Sequence, residues 1–284
     1  MSKWKHPHAV KLIQTFSSED KWNNIILKPR AEQDLRYFLL DLGTRVEYES
    51  QWGHHIHCRT LVFRWICCLS NALEHLHKQQ ISHRDIRPAN ILIDGEKIFF
   101  TDFGLAHDAN EKQSLPLNAP TGSAMYQQPR KYVRLGSSWV ECKPPRKGYE
   151  PLHRGLAGDV FSLGCVMFEM LEASSRPFIT PPLPSADISY SYSVLHTGFI
   201  KQALTAKECP EKLKRPGMKK PKYDLDSLVP GLVEKLLRIV LEDMLEERRL
   251  GTRSIEIIAQ KIRVTLWKTR QPGLECWECR YLCA

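Results

Sequence analysis

Three oxygen-bearing side chains sit at spacings that could serve a reaction. Asp85 and Asn90 lie in the stretch Ile81-Ser-His-Arg-Asp-Ile-Arg-Pro-Ala-Asn-Ile-Leu92, and ten residues later comes Asp102-Phe103-Gly104. A carboxylate can orient a hydroxyl and take its proton, while an amide oxygen and a second carboxylate suit a hard cation such as Mg2+. Arg84 and Arg87 add permanent positive charge to the same loop. The structural alternative is that Asp85 and Asp102 cap helices or shape turns, which for isolated aspartates is the better reading. A second cluster, Cys276, Cys279 and Cys283, forms a C-x2-C-x3-C tail that could hold a metal, but no matching fourth ligand pair is evident. Nine cysteines without a framework of short spacings read instead as free buried thiols.

A His-Arg-Asp-x-x-x-x-Asn loop after a long helix, then a hairpin, then Asp-Phe-Gly, resembles the catalytic core of the eukaryotic protein kinases. The resemblance implies phosphoryl transfer from Mg-ATP to a protein hydroxyl, a reaction that rests on positioning and charge neutralisation. It makes Asp85 the catalytic carboxylate and Asn90 and Asp102 the Mg2+ ligands. Arg87 stands where serine/threonine kinases usually carry a Lys that contacts the γ-phosphate. Arginine there also occurs in some tyrosine kinases, but Pro88 and the stretch Gly122-Ser-Ala-Met-Tyr-Gln-Gln-Pro129, which resembles G-[ST]-x-x-Y-x-x-P, point to the serine/threonine class. His83 and Phe103 would stack in a hydrophobic spine, and Arg84 would meet a phosphate on Ser114, Thr121 or Ser123.

The resemblance runs over roughly residues 6 to 268. Asp159-Val-Phe-Ser-Leu-Gly164 resembles the D-x-W-S-x-G start of the family's central buried helix, whose Asp holds the catalytic-loop backbone. Val166, Met170 and Leu92 would support the adenine. His6-Pro-His-Ala-Val10 resembles an H-P-N-I-V turn, and residues 24 to 35 align with the hinge. There Leu27 would be the gatekeeper, Lys28 to Arg30 the backbone edge facing adenine, and Asp34 a ribose contact.

Three departures qualify the resemblance. The 284 residues contain no glycine-rich loop, no strand with the phosphate-binding Lys and no helix with its Glu partner. The expectation is therefore an N-terminally truncated kinase, weak or inactive by itself, with a non-catalytic pseudokinase scaffold as the alternative. Gln128-Pro129-Arg130 replaces the family's A-P-E, setting Arg130 towards Arg249 where a Glu would pair with it. A basic insertion, 131–154, lengthens the stretch before Asp159.

The elements that must position these residues are legible from periodicity. Ala9 to Phe16 and Asn24 to Leu27 read as short strands, and Ile91 to Ile93 and Ile98 to Thr101 as a hairpin turning at Asp94-Gly95. Leu61, Trp65, Cys68, Leu69, Ala72, Leu73 and Leu76 recur at helical spacing. Asp159 to Leu171 is apolar nearly all round, the mark of a buried helix, and two amphipathic helices follow at Leu232 to Leu245 and Ile255 to Leu266. The fold class expected is α+β: a kinase-like helical lobe carrying a two-strand remnant of the N-lobe sheet. Domain limits expected are 1–28 for that remnant to the hinge, 29–268 for the helical lobe, and 269–284 for a cysteine-containing tail.

Composition excludes other classes. With 42% hydrophobic and 26% charged residues the chain is neither disordered nor low in complexity, and no internal repeat is visible. No apolar stretch reaches membrane-span length and no secretory leader is evident, so an intracellular location, cytoplasmic or nuclear, is expected. The net charge of +9 chooses no partner by itself, and the Lys/Arg run at 212–222 lacks the interleaved aromatics of a nucleic-acid surface. Expected partners are ATP, a protein substrate, and a protein or second copy meeting the incomplete N-lobe.

Overall fold

The computed structural model describes residues 5–18, 23–44, 52–108, 132–135, 138–141, 154–175, 231–245 and 254–280, apart from 272 and 275. The expected first hairpin is present: β1 (Lys11–Ser17) pairs antiparallel with β2 (Asn23–Lys28), with an irregularity between Leu12 and Gln14. A second, three-stranded sheet runs in the order β3 (Gln33–Asp34), β5 (Ile91–Asp94), β6 (Lys97–Phe100). Gly95 takes φ +56° between β5 and β6, a conformation that glycine adopts without steric cost. Ala9 bridges in parallel to Phe100, so the N-terminal segment lies along the free edge of β6.

Helix α1 (Leu35–Thr44) was not among the elements expected, because residues 24–35 read as a hinge followed by no assigned element. Its stripe of Leu35, Phe38 and Leu42 is nonetheless buried at helical spacing. α2 (Trp52–Lys78) contains the expected periodic run and extends further N-terminally. Trp65 of α2 is fully buried, packs edge-on against Phe38 at 4.9 Å and donates its indole N–H to the Glu96 carbonyl at 2.8 Å. Arg64 adds Nη2–H bonds to the Glu96 carbonyl and carboxylate, at 3.2 and 2.7 Å. One helix thereby holds both α1 and the tip of the β5–β6 hairpin.

β4 (Ile81–Ser82) pairs with β7 (His107–Asp108), closing the segment between them into a loop with fixed ends. The basic insertion 131–154 contains a separate hairpin of β8 (Tyr132–Leu135) and β9 (Ser138–Glu141). α3 (Arg154–Ser175) is the central helix: Val160, Phe161, Leu163, Val166, Met167 and Met170 are all buried. The helix expected at 232–245 divides into α4 (Leu232–Ile239) and a π-helical turn over Val240–Leu245. The wider turn lies where α3 comes close. A Cβ on Gly164 would stand 2.8 Å from Met244 Cβ and 2.9 Å from Leu245 Cδ2. α5 (Ile255–Trp267) packs against α2, where Arg263 Nη1 donates to the Glu74 carboxylate at 2.7 Å, and α6 (Trp277–Arg280) closes the described chain. Among the described residues no helix is long and apolar enough to cross a membrane.

Candidate active site

The His83–Asn90 loop is built from the α3 side. Buried Asp159 accepts the backbone N–H of His83 at 2.7 Å, that of Arg84 at 2.8 Å, and Nε2–H of His77 at 3.2 Å. Arg84 sits at φ +67°, a left-handed conformation that is strained for a side chain of this size and that the Asp159 bond helps hold. Gly155, one turn earlier on α3, lies against the same loop, where a Cβ would be 2.8 Å from Ser82 Oγ. The expected role of Asp159 as holder of the loop backbone is therefore met by its geometry.

His83 joins the loop to the strand before Asp102. Its Nε2–H donates to the Thr101 carbonyl at 2.9 Å and its Nδ1 accepts the Asp85 N–H at 3.3 Å, which fixes the neutral tautomer. Burial holds the imidazole below its ordinary pKa; Asp159, the Thr101 carbonyl, Asp85 and Asp102 act the other way. The ring stacks obliquely on Phe103 with centroids 4.7 Å apart, the contact expected of a spine.

At the loop's other end, Pro88–Asn90 form a 3-10 turn in which proline's fixed φ is pre-set for the first position. The turn delivers Asn90 Nδ2 to the Asp85 backbone carbonyl at 2.9 Å and to Asp85 Oδ2 at 2.7 Å. With its NH2 committed to Asp85, the Asn90 amide presents its oxygen on the opposite side, the polarity that a cation ligand requires. Arg87 Nε lies 3.4 Å from Asp85 Oδ2 and makes no hydrogen bond there. Asp102, exposed and left-handed at φ +58°, caps the 3-10 turn Phe103–Leu105 by accepting the Gly104 N–H at 3.4 Å. Asp85, Arg87 and Asn90 are thus in one loop, and the β5–β6 hairpin brings the chain on to Asp102.

The nucleotide-side residues are placed differently. Leu27 and Lys28 end β2 with exposed side chains, and Arg30 is exposed beyond it. Asp34 accepts the Tyr37 N–H at 3.0 Å, capping α1, and lies 3.8 Å from Arg36. That cap is a structural duty which the hinge alignment did not anticipate. Leu92 is half-buried beside the core that contains fully buried Val166 and Met170. Ser114, Thr121, Ser123, Arg130 and Arg249 lie outside the described residues, so the phosphate and like-charge expectations fall there too.

A protein-family model described as Protein kinase domain matches residues 1–238. The chain belongs to the protein kinase family. It is 28% identical over 185 residues to serine/threonine-protein kinase PKH3 of Eremothecium gossypii, covering 62% of this chain and 20% of that protein. It is 32% identical to a putative ribosomal protein S6 kinase alpha-1 of Caenorhabditis elegans, covering 58% of this chain and 17% of that one. Similarity to serine/threonine-protein kinase Nek10 of Mus musculus, at 26% identity, runs over 92% of this chain and 22% of the relative. The kinase chain thus spans about a fifth of the length of these relatives. The PKH3 and Nek10 relatives carry serine/threonine-protein kinase names, the class expected from the Gly122–Pro129 stretch.

One chemical grouping escaped the sequence reading. The tail cysteines were matched with no further ligands, yet His8 and Cys68 converge on Cys276 and Cys279. Cys283 lies outside the described residues.

Proposed function

We propose that this chain is the phosphoryl-transfer part of a serine/threonine protein kinase, with ATP as donor and a protein hydroxyl as acceptor. The observation that supports the reading is the Asn90 clamp on Asp85, in which the Asn90 NH2 donates to the Asp85 carbonyl and carboxylate, holding Asp85 in place and leaving the Asn90 oxygen to a cation. Asp85 would orient the acceptor hydroxyl and take its proton. Asn90 and Asp102 offer an amide and a carboxylate oxygen, a donor set that fits Mg2+. Bound there, Mg2+ would neutralise phosphate charge. Arg87 would meet the γ-phosphate, while Leu27, the backbone of Lys28 to Arg30, Asp34 and Leu92 would border the nucleotide. The domain limits 1–28, 29–268 and 269–284 remain part of this reading.

The 284 residues contain no G-x-G-x-x-G and no V-A-x-K, the motifs by which the family grips the phosphates. Each tenfold loss of rate corresponds to about 1.4 kcal/mol of barrier, so turnover several powers of ten below an ordinary kinase is expected of this polypeptide alone. A transfer assay with labelled ATP checks this. Slow incorporation abolished by Asp85→Asn supports the reading, and incorporation unchanged by Asp85→Asn overturns it. A second reading, a non-catalytic scaffold, is favoured by the exposed apolar residues of β1 and β2: Leu12, Ile13, Phe16, Ile25, Ile26 and Leu27. Failure of Mg-ATP to bind at millimolar concentration would select it.

A further inference from the structure

The cluster at the back of the β5–β6 hairpin is assigned no role by the transfer chemistry. His8 Nε2 and the sulfurs of Cys68, Cys276 and Cys279 all lie within 4.8 Å of one another. They come from three separate parts of the chain: the turn preceding β1, the middle of α2, and the C-terminal segment around α6. His8, Cys68 and Cys279 are buried and Cys276 is half-buried.

We propose that these four side chains bind a structural Zn2+ ion. Three thiolates and one imidazole form one of the closed tetrahedral sets that zinc takes in structural sites, and soft sulfur ligands disfavour Mg2+ and Ca2+. Bonds of about 2.3 Å to sulfur and 2.0 Å to nitrogen place tetrahedral ligand atoms about 3.5–3.8 Å apart, so the group needs little contraction around an ion. His8 Nε2 is already 3.3 Å from Cys276 Sγ.

The surrounding bonds orient the imidazole as a ligand. His8 Nδ1–H donates to the Ile98 carbonyl at 2.8 Å, which leaves the Nε2 lone pair facing the thiols. An outer hydrogen bond of this kind is the usual companion of a metal-bound histidine. The His8 backbone is fixed as well: its N–H bonds His6 Nδ1 at 3.2 Å and its carbonyl accepts the Phe100 N–H at 2.9 Å. Lys97 and Glu278 form an ion pair at 2.6 Å that pins α6 to the start of β6 at the residue just before Cys279. The C-x2-C spacing puts both sulfurs on one turn, as in many zinc sites. Cys276 and Cys279 also lie beyond the residues that the kinase family model matches, so the site would be an addition to the shared domain.

Three thiols packed together could alternatively form a Cys276–Cys279 disulfide. The deciding experiment is elemental analysis of the full chain, purified under reducing conditions without chelator, joined to X-ray absorption at the zinc edge. The expected result is one zinc per chain with three sulfur neighbours and one nitrogen. Zinc should be lost in Cys279→Ser and retained in Cys165→Ser, which removes a buried thiol of α3 outside the cluster. The absorption spectrum of the unmodified chain stands even if Cys279→Ser does not fold. Trace zinc in the unmodified chain, iron in its place, a zinc shell without sulfur, or a Cys276–Cys279 disulfide in the peptide map would each overturn the proposal.

Discussion

Two oxygens of Asp159 receive three donors, and the strained Arg84 backbone depends on one of them. Asp159→Asn keeps a single acceptor oxygen and turns an NH2 group towards a donor. Each orphaned buried donor costs about 1–3 kcal/mol, so Asp159→Asn should lower the denaturation midpoint as well as any transfer rate. An unchanged midpoint would show that the bonds contribute nothing. His83 adds a pH dependence. Its folded pKa lies below 6.5, so the unfolded chain binds more protons there as the pH falls below that value. Stability is then full above pH 6.5 and declines as the pH drops through 6.5 towards the folded pKa. Nitrogen NMR of the ring should show the Nε2–H tautomer titrating below 6.5; a midpoint at or above it would contradict this burial argument. The Asp159 clasp and the packing of His83 on Phe103 were legible beforehand because Asp159-Val-Phe-Ser-Leu-Gly164, His-Arg-Asp and Asp-Phe-Gly are contiguous strings, whereas the hydrogen bonds of the His83 ring were not. The cap duty of Asp34 was not, since any Asp ahead of an unassigned helix reads equally as a ligand contact.

Elements were legible wherever one apolar period dominated. α2 and α3 carry long buried runs, so their periodicity survives the insertion of Arg64 or Ser162. α1 has an equally regular stripe in Leu35, Phe38 and Leu42, but it is short and follows directly on a strand. The π-helical turn at Val240–Leu245 has no compositional signature, because its widening answers a tertiary neighbour. Gly164 is that neighbour's side of the contact. Gly164→Ala would drive a methyl into Met244 and Leu245, and overpacking of this type costs about 1–3 kcal/mol. The melting temperature should fall, and Leu245→Ala in the same chain should cost less than in the parent, since it makes room for the methyl. Additive effects would mean that the helices separate freely.

At the scale of the molecule, β1 and β2 form a two-stranded sheet with no third strand among the described residues, and exposed apolar side chains project from it. Such a hairpin is marginal in water and its open edges invite pairing with another chain. In a dilute monomer, residues 11–17 and 23–28 should exchange amide hydrogens much faster than the β5–β6 hairpin, and Ile25→Lys should reduce concentration-dependent association. Strong protection in that monomer would show the hairpin to be self-sufficient. Long-range convergence is also where sequence reading fails: His8 and Cys276 stand 268 positions apart, and no local pattern joins them.

The Asp159 contact also sets an order of events during synthesis. The His83 N–H waits for a partner 76 positions further along the chain. At about 5–20 residues per second, a ribosome needs about 4–15 s to add that stretch. Throughout that interval the loop bearing Asp85 and Asn90 lacks the Asp159 clasp, and the nascent chain is open to chaperones and proteases at the segment on which the proposed chemistry depends.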